Sequence, residues 1–93
     1  MRIEQPKFQL GRTLITPGAR DELHPEDVLV AIRRHASGDW GDCGKEDWSE
    51  NDFSLDKDLR LFSVFSDRSG VKFWVITEAD RSATTVLLPN GAP

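Results

Sequence analysis

Three stretches of the sequence hold residue types that can do chemistry. The first is His35-Ala36-Ser37-Gly38-Asp39-Trp40-Gly41-Asp42. Histidine and carboxylates are ligands for first-row metals. An imidazole beside a carboxylate can also be tuned toward neutral pH for proton transfer. A metal site needs three or four converging ligands, and this stretch holds no more than three, His35, Asp39 and Asp42. A structural reading therefore leads: His35 ends a helix, the glycines make a tight turn, and Asp39 and Asp42 take backbone amides. Trp40 then either fills the core or anchors an interface.

The second stretch is Ile76-Thr77-Glu78-Ala79-Asp80-Arg81-Ser82-Ala83-Thr84-Thr85. Arg81 could fork onto a ligand's carboxylate or phosphate, or onto Glu78, Asp80 or an aspartate of the 39–47 segment as an internal clamp. The clamp is favoured, so His35, Glu78, Asp80 and Arg81 are grouped as structural or ligand-clamp residues. Ser82 lacks the GxSxG turn of a serine nucleophile. Cys43 is the only cysteine. It has acids on both sides, and these raise a thiol's pKa and suppress thiolate reactivity. No Walker A loop, GxGxxG, HExxH or EF-hand loop is present. The sequence thus predicts a non-enzymatic protein with no catalytic residues, no metal and no cofactor.

The third stretch is the charge run from Asp39 to Leu59. It holds eight acids against Lys45 and Lys57, a net of −6, while the flanking segments are each +1 and the whole chain is −4. Such a field repels nucleic-acid phosphates and attracts basic partners, so direct nucleic-acid binding is disfavoured. The run can also be a solvated helix face. Trp40 and Trp48 within it tilt the reading toward recognition, since aromatic anchors carry interface energy. The candidate partner-binding residues are Asp39, Trp40, Asp42, Glu46, Asp47 and Glu50.

The composition, 38% apolar and 30% charged over 93 residues, predicts one globular domain over 1–93. Residues 1–6 read as a loose N-terminal arm. No apolar run reaches ~18 residues, and the first residues lack a signal-peptide core. With a single cysteine, these features predict a cytoplasmic protein with no membrane contact.

Several elements must position the three stretches. Phe8 to Gly11 alternates and reads as a short strand or extended entry. Thr16-Pro17 starts a helical turn, with Thr16 as cap and Pro17 at the first helical position, ending by His24-Pro25. Pro25 to Gly38 is the firmest helix, with Val28, Leu29, Ile32 and Ala36 as its apolar stripe. After a loop over 39–44, Lys45 to Ser54 reads as a third helix, with Trp48, Asn51 and Leu55 inward. Leu61–Phe65, Val71–Thr77 and Thr84–Leu88 read as strands joined by short turns, with Pro89-Asn90-Gly91 ending the last.

The expected fold is therefore α+β: an antiparallel three- to four-stranded β-meander packed with two or three short helices. Both parities of the strands are apolar. Helices can cover one face. The other is covered by the N-terminal segment or is a contact surface, through which a homodimer could form.

Several motifs together resemble one family. They are Phe8-Gln9-Leu10-Gly11-Arg12, Ile15-Thr16-Pro17-Gly18-Ala19, Arg34-His35 with Ser37 to Asp42, Glu50-Asn51, and Ile76 to Ser82 with Thr84 to Pro89. The sequence is similar to small bacterial proteins labelled "plasmid-related protein", some of which carry the label "type I restriction endonuclease subunit M". A DNA adenine methyltransferase needs a larger cofactor domain and an Asn/Asp-Pro-Pro-aromatic loop, and this sequence has neither. The resemblance implies a setting on plasmids and other mobile elements, in conflict with host defences, rather than a catalytic residue. The leading expectation is an interaction module of a mobile element. Its partner would be a host or element-encoded protein with a basic surface, such as a nucleic-acid-binding component of a defence system. The alternative is a small-ligand or metal site built from His35, Asp39, Asp42, Glu78 and Arg81.

Overall fold

The computed structural model describes residues 5–89. The elements are β1 (Arg12–Ile15), α1 (Pro17–Glu22), α2 (Pro25–Ala36), α3 (Lys45–Lys57), β2 (Leu61–Ser66), β3 (Lys72–Thr77) and β4 (Ala83–Leu87). Most of the expected arm over 1–6, and Asn90 and Gly91 after the last strand, lie outside the described residues.

The fold is α+β with three helices on a four-stranded sheet of order β1-β4-β3-β2. Strands β2, β3 and β4 form the expected antiparallel meander. The sheet as a whole is mixed, which corrects the purely antiparallel expectation: β1 pairs parallel to β4, with Arg12 opposite Ala83 and Ile15 opposite Val86. The fourth strand also sits at Arg12–Ile15 and not at Phe8–Gly11. Gly11 explains the shift. It adopts φ 66°, and a Cβ there would overlap the Ser82 carbonyl, so the chain turns at this glycine before it meets β4.

Local signals account for the helices. Thr16 Oγ1 accepts from the Ala19 amide at 3.3 Å and Pro17 opens α1. Pro25 opens α2, with Glu26 and Asp27 in its first turn and Arg33 and Arg34 in its last, as the helix dipole favours. The buried stripe of α2 is Val28, Ala31, His35 and Ala36. Leu29, expected to face inward, is 57% exposed. Helix α3 runs one turn beyond Ser54 to Lys57. It stops because Asp58 takes the left-handed conformation (φ 55°) while the Leu59 amide donates back to the Ser54 carbonyl.

Helix α1 packs on β4 and α2 on β3. Between them lies the core: Ala19, Leu23, Val28 and Ala31 against Phe65, Phe73, Val75 and Val86. The N-terminal segment joins this same side, with the Lys7 amide donating to the Ala36 carbonyl at 2.7 Å. The opposite sheet face presents Phe62, Val64, Trp74, Ile76, Thr85 and Leu87, all half-buried. Phe62 and Trp74 meet edge to face at 5.2 Å.

Candidate functional site

The outer edge of β2 carries the acidic segment. Gly41 bridges to Val64 in parallel. The Asp42 amide donates to the Val64 carbonyl at 2.7 Å, and the Val64 amide donates to the Trp40 carbonyl at 3.2 Å. Gly41 makes this approach feasible, since it sits at φ 71° and a Cβ would overlap the Val64 carbonyl. Nearly two turns into α3, the Asn51 carboxamide continues the seal. Its Nδ2 donates to the Phe62 carbonyl at 2.6 Å and its Oδ1 accepts from the Phe62 amide at 2.9 Å. A side chain thus imitates a strand partner, and the open edge is covered.

This docking fixes which faces of α3 meet water. Asn51 and Ser54 are buried, and Trp48 and Leu55 are half-buried. Asp42, Glu46, Asp47 and Glu50 are exposed. Among the described residues none of these four is in an ion pair. Phe53 stands out from the same helix at 55% exposure. The sequence reading did not single out Phe53. The available signal was its offset of two residues from inward Asn51, which puts it on the far side of a helix.

Two of the six candidate partner-binding residues have other duties. Asp39 pairs with Arg34, which donates at 2.7 and 3.3 Å, and accepts from the Gly41 amide at 3.0 Å. Partial burial raises its carboxyl pKa, but these donors more than offset that and hold it below the usual range. Trp40 is fully buried, which removes it from any contact surface. Its indole N–H donates to Asp52 at 2.9 Å, and its ring meets His35 at 5.5 Å and Phe8 at 6.3 Å. It is a core plug that ties the acidic loop to α3.

His35 is also fully buried. Its Nδ1 lies 2.5 Å from Ser63 Oγ and its Nε2 lies 2.9 Å from Thr77 Oγ1. Thr77 Oγ1 is 2.7 Å from Thr84 Oγ1, and Thr84 donates to the Leu10 carbonyl at 2.7 Å. Burial, aided by the nearby Arg81 charge, lowers the imidazole pKa from 6.5 to about 3. This histidine, at the end of α2, is a neutral internal tie to β2 and β3.

Arg81 does clamp, but not onto a carboxylate. Nη1 donates to the carbonyls of Leu59 (2.7 Å), Glu78 (3.1 Å) and Ala79 (3.3 Å), and Nη2 to that of Ser54 (3.3 Å). The C-terminal end of α3 is thereby fastened to the β3–β4 turn. Arg81 sits at φ 61°, and its guanidinium lies 5.5 Å from the Phe8 ring centre. Glu78 turns instead to Arg60 at 3.6 Å, and Asp80 accepts from the Ser82 amide at 3.0 Å.

His35, Asp39, Asp42, Glu78 and Arg81 therefore do not form an open pocket. Each of His35, Asp39, Glu78 and Arg81 is committed to an internal partner. Among the described residues no three His, Cys, Asp or Glu side chains converge to hold a metal. Two surface grooves, of about 200 and 310 Å³, contain none of the five. The charged groups of the smaller one pair internally, with Asp27 held on Arg68 at 3.0 and 3.1 Å. Burial, more than Asp47 and Asp42, pushes the Cys43 thiol pKa up. Among the described residues no helix is long and apolar enough to cross a membrane.

No family model matches this chain, and no curated protein or solved structure is significantly similar to it.

Proposed function

We propose that the chain is a non-enzymatic interaction module that docks a basic partner protein on the exposed face of α3 and its preceding loop. The observation that supports this most is the exposed set of Asp42, just before α3, and Glu46, Asp47 and Glu50 on it, none in an ion pair among the described residues, on a segment that Asn51 and Arg81 fasten at the sheet edge. Pre-positioned charge of one sign steers a complementary partner and selects against acidic ones. Phe53 on the same helix offers an apolar anchor of the type that concentrates binding energy. The resemblance to plasmid-related proteins supports a partner from a host defence or nucleic-acid-binding system, with the module acting in the cytoplasm on behalf of a mobile element. Capture from host lysate, compared between the native chain and its Asp42→Lys, Glu46→Lys, Asp47→Lys variant, tests the reading. Specific partners should be lost from the variant while its fold persists. Unchanged capture would remove the acidic face from the account.

A second contact, between two copies of the chain, has its own support. The half-buried patch of Phe62, Val64, Trp74, Ile76, Thr85 and Leu87 is itself uncharged, with Lys72 at its margin. Two chains of net charge −4 meet there with less repulsion than through α3. Sedimentation of the native chain and of Trp74→Lys decides it: a dimer that the substitution splits supports the contact, and a native monomer at high concentration removes it.

A further inference from the structure

The chain of buried hydroxyls around His35 has only one consistent direction. The Leu10 carbonyl can only accept, so the Thr84 hydroxyl spends its proton there. Thr84 Oγ1 then serves Thr77 as acceptor, and the Thr77 hydroxyl proton is spent in turn. His35 must therefore donate from Nε2 to Thr77. A neutral imidazole with its proton on Nε2 presents a bare Nδ1, which accepts from Ser63. Every hydroxyl proton in the row is used once, and among the described residues no buried side-chain polar atom lacks a partner.

A second proton on His35 cannot be absorbed by this row. Nδ1–H would face the Ser63 oxygen, whose own proton would then need an acceptor. Among the described residues Ser63 Oγ has no partner besides His35. The charged groups around the ring offer no relief. Arg81, from the β3–β4 turn, is a like charge. Asp52, from α3, is taken by the far edge of Trp40. Asp39, from the loop, faces Arg34, and Glu78 faces Arg60. The imidazolium must reach water, and the thinnest cover over it is the N-terminal segment. Phe8 lies edge-on to the His35 ring at 5.4 Å and is itself half-buried. Among the described residues, the hydrogen bonds that hold the segment from Lys7 to Leu10 are the Lys7 amide to Ala36 and the Leu10 carbonyl to Thr84.

We infer that residues 7–10 form a latch locked by neutral His35, and that protonation of His35 releases this segment from α2 and β4 while the sheet stays folded. The latch links the acid–base state of one buried ring to exposure of Phe8, Trp40 and the Arg81 guanidinium. It does not depend on what binds α3.

Nuclear magnetic resonance on the full chain, titrated from pH 7 downward, tests it. At pH 7 the His35 ring nitrogens should report the neutral Nε2–H tautomer. Between pH 6.5 and 3, the signals of Lys7 to Leu10 should move to unstructured positions in step with His35 protonation, while the contacts between β2, β3 and β4 persist. The Thr84→Val variant, which keeps a β-branched strand residue and deletes the hydroxyl, should release the same four residues already at pH 7. An Nδ1–H tautomer, a single cooperative loss of all signals with no earlier release, or a charged His35 beneath an undisturbed Phe8 would each overturn the inference. So would a Thr84→Val chain whose segment stays in place.

Discussion

The carboxamide of Asn51 pairs with the backbone of Phe62 as a neighbouring strand would, giving at 2.6 Å and taking at 2.9 Å. An acidic helix is thereby fixed to the sheet by a neutral side chain. Among the described residues, Glu46, Asp47 and Glu50 are in no ion pair and stay available to solvent or to a partner. The functional reading rests on this division of labour.

Removing that amide should detach the helix. Asn51→Ala leaves the amide and carbonyl of Phe62 without their main partner at a site half shut off from water. The expected loss is about 2–3 kcal/mol, read as a lower urea midpoint. Asn51→Asp should lose at least as much, because it replaces the donor facing the Phe62 carbonyl with a carboxylate oxygen.

Arg81 should matter for shape and not for binding strength. Its guanidinium serves carbonyls of α3, of the segment after it and of the β3–β4 turn at once. Lysine cannot fork in this way. Arg81→Lys should cost about 1–2 kcal/mol and raise hydrogen exchange at the C-terminal turn of α3. Unaltered exchange there would argue against the clamp.

Stability should fall through two pH windows that overlap only at their shared edge. Unfolded His35 takes a proton near pH 6.5, and the folded ring only near 3. Between those values the unfolded chain binds more protons, so stability drops as pH falls, by up to about 1.4 kcal/mol per pH unit. Carboxylates act lower down. Asp27, hydrogen-bonded by Arg68, is held at about 2, against an ordinary 3.8. Asp67 is raised by burial but more strongly lowered by the amides of Val71, His24 and Ser69. Their contributions are present above pH 3.8 and are lost as pH falls below it. Denaturant midpoints at pH 7, 5.5 and 4.5 isolate the His35 window, and His35→Gln should flatten the slope there.

Phe53 should separate binding from folding. Surface substitutions away from caps and buried contacts cost within ~0.5 kcal/mol, and Phe53 is more than half exposed. Phe53→Ala should therefore leave the thermal midpoint nearly unchanged while weakening partner capture. Equal capture by Phe53→Ala and the native chain would leave only the carboxylates in the interface.

Much of the framework was legible in the sequence because the signals are local. Thr16-Pro17 and Pro25 punctuate the first two helices, and Ser66 to Gly70 separates two apolar runs that pair as expected. The misses are places where distant contacts decide. Arg12–Ile15 has no alternating burial, since all four residues are exposed, so nothing local marks it as a strand. Its pairing depends on β4, some seventy residues away. His35 looks like a helix-ending cation until Ser63, Thr77 and Thr84 close around it from three strands. Trp40 looks like an anchor within a charged loop until Phe8 and His35 enclose it. In the candidate site, the exposed acids follow from composition. Their fixed setting does not, because it hangs on Asn51 and Arg81 reaching backbone atoms that sequence spacing cannot reveal.

The most direct test of the docking surface is a hydrogen-exchange footprint of this chain in complex with a captured partner. The account predicts slowed exchange over 42–56, with the amides of α3 and its preceding loop most affected. Protection confined to β3 and β4, with 42–56 exchanging as in the free chain, would contradict it.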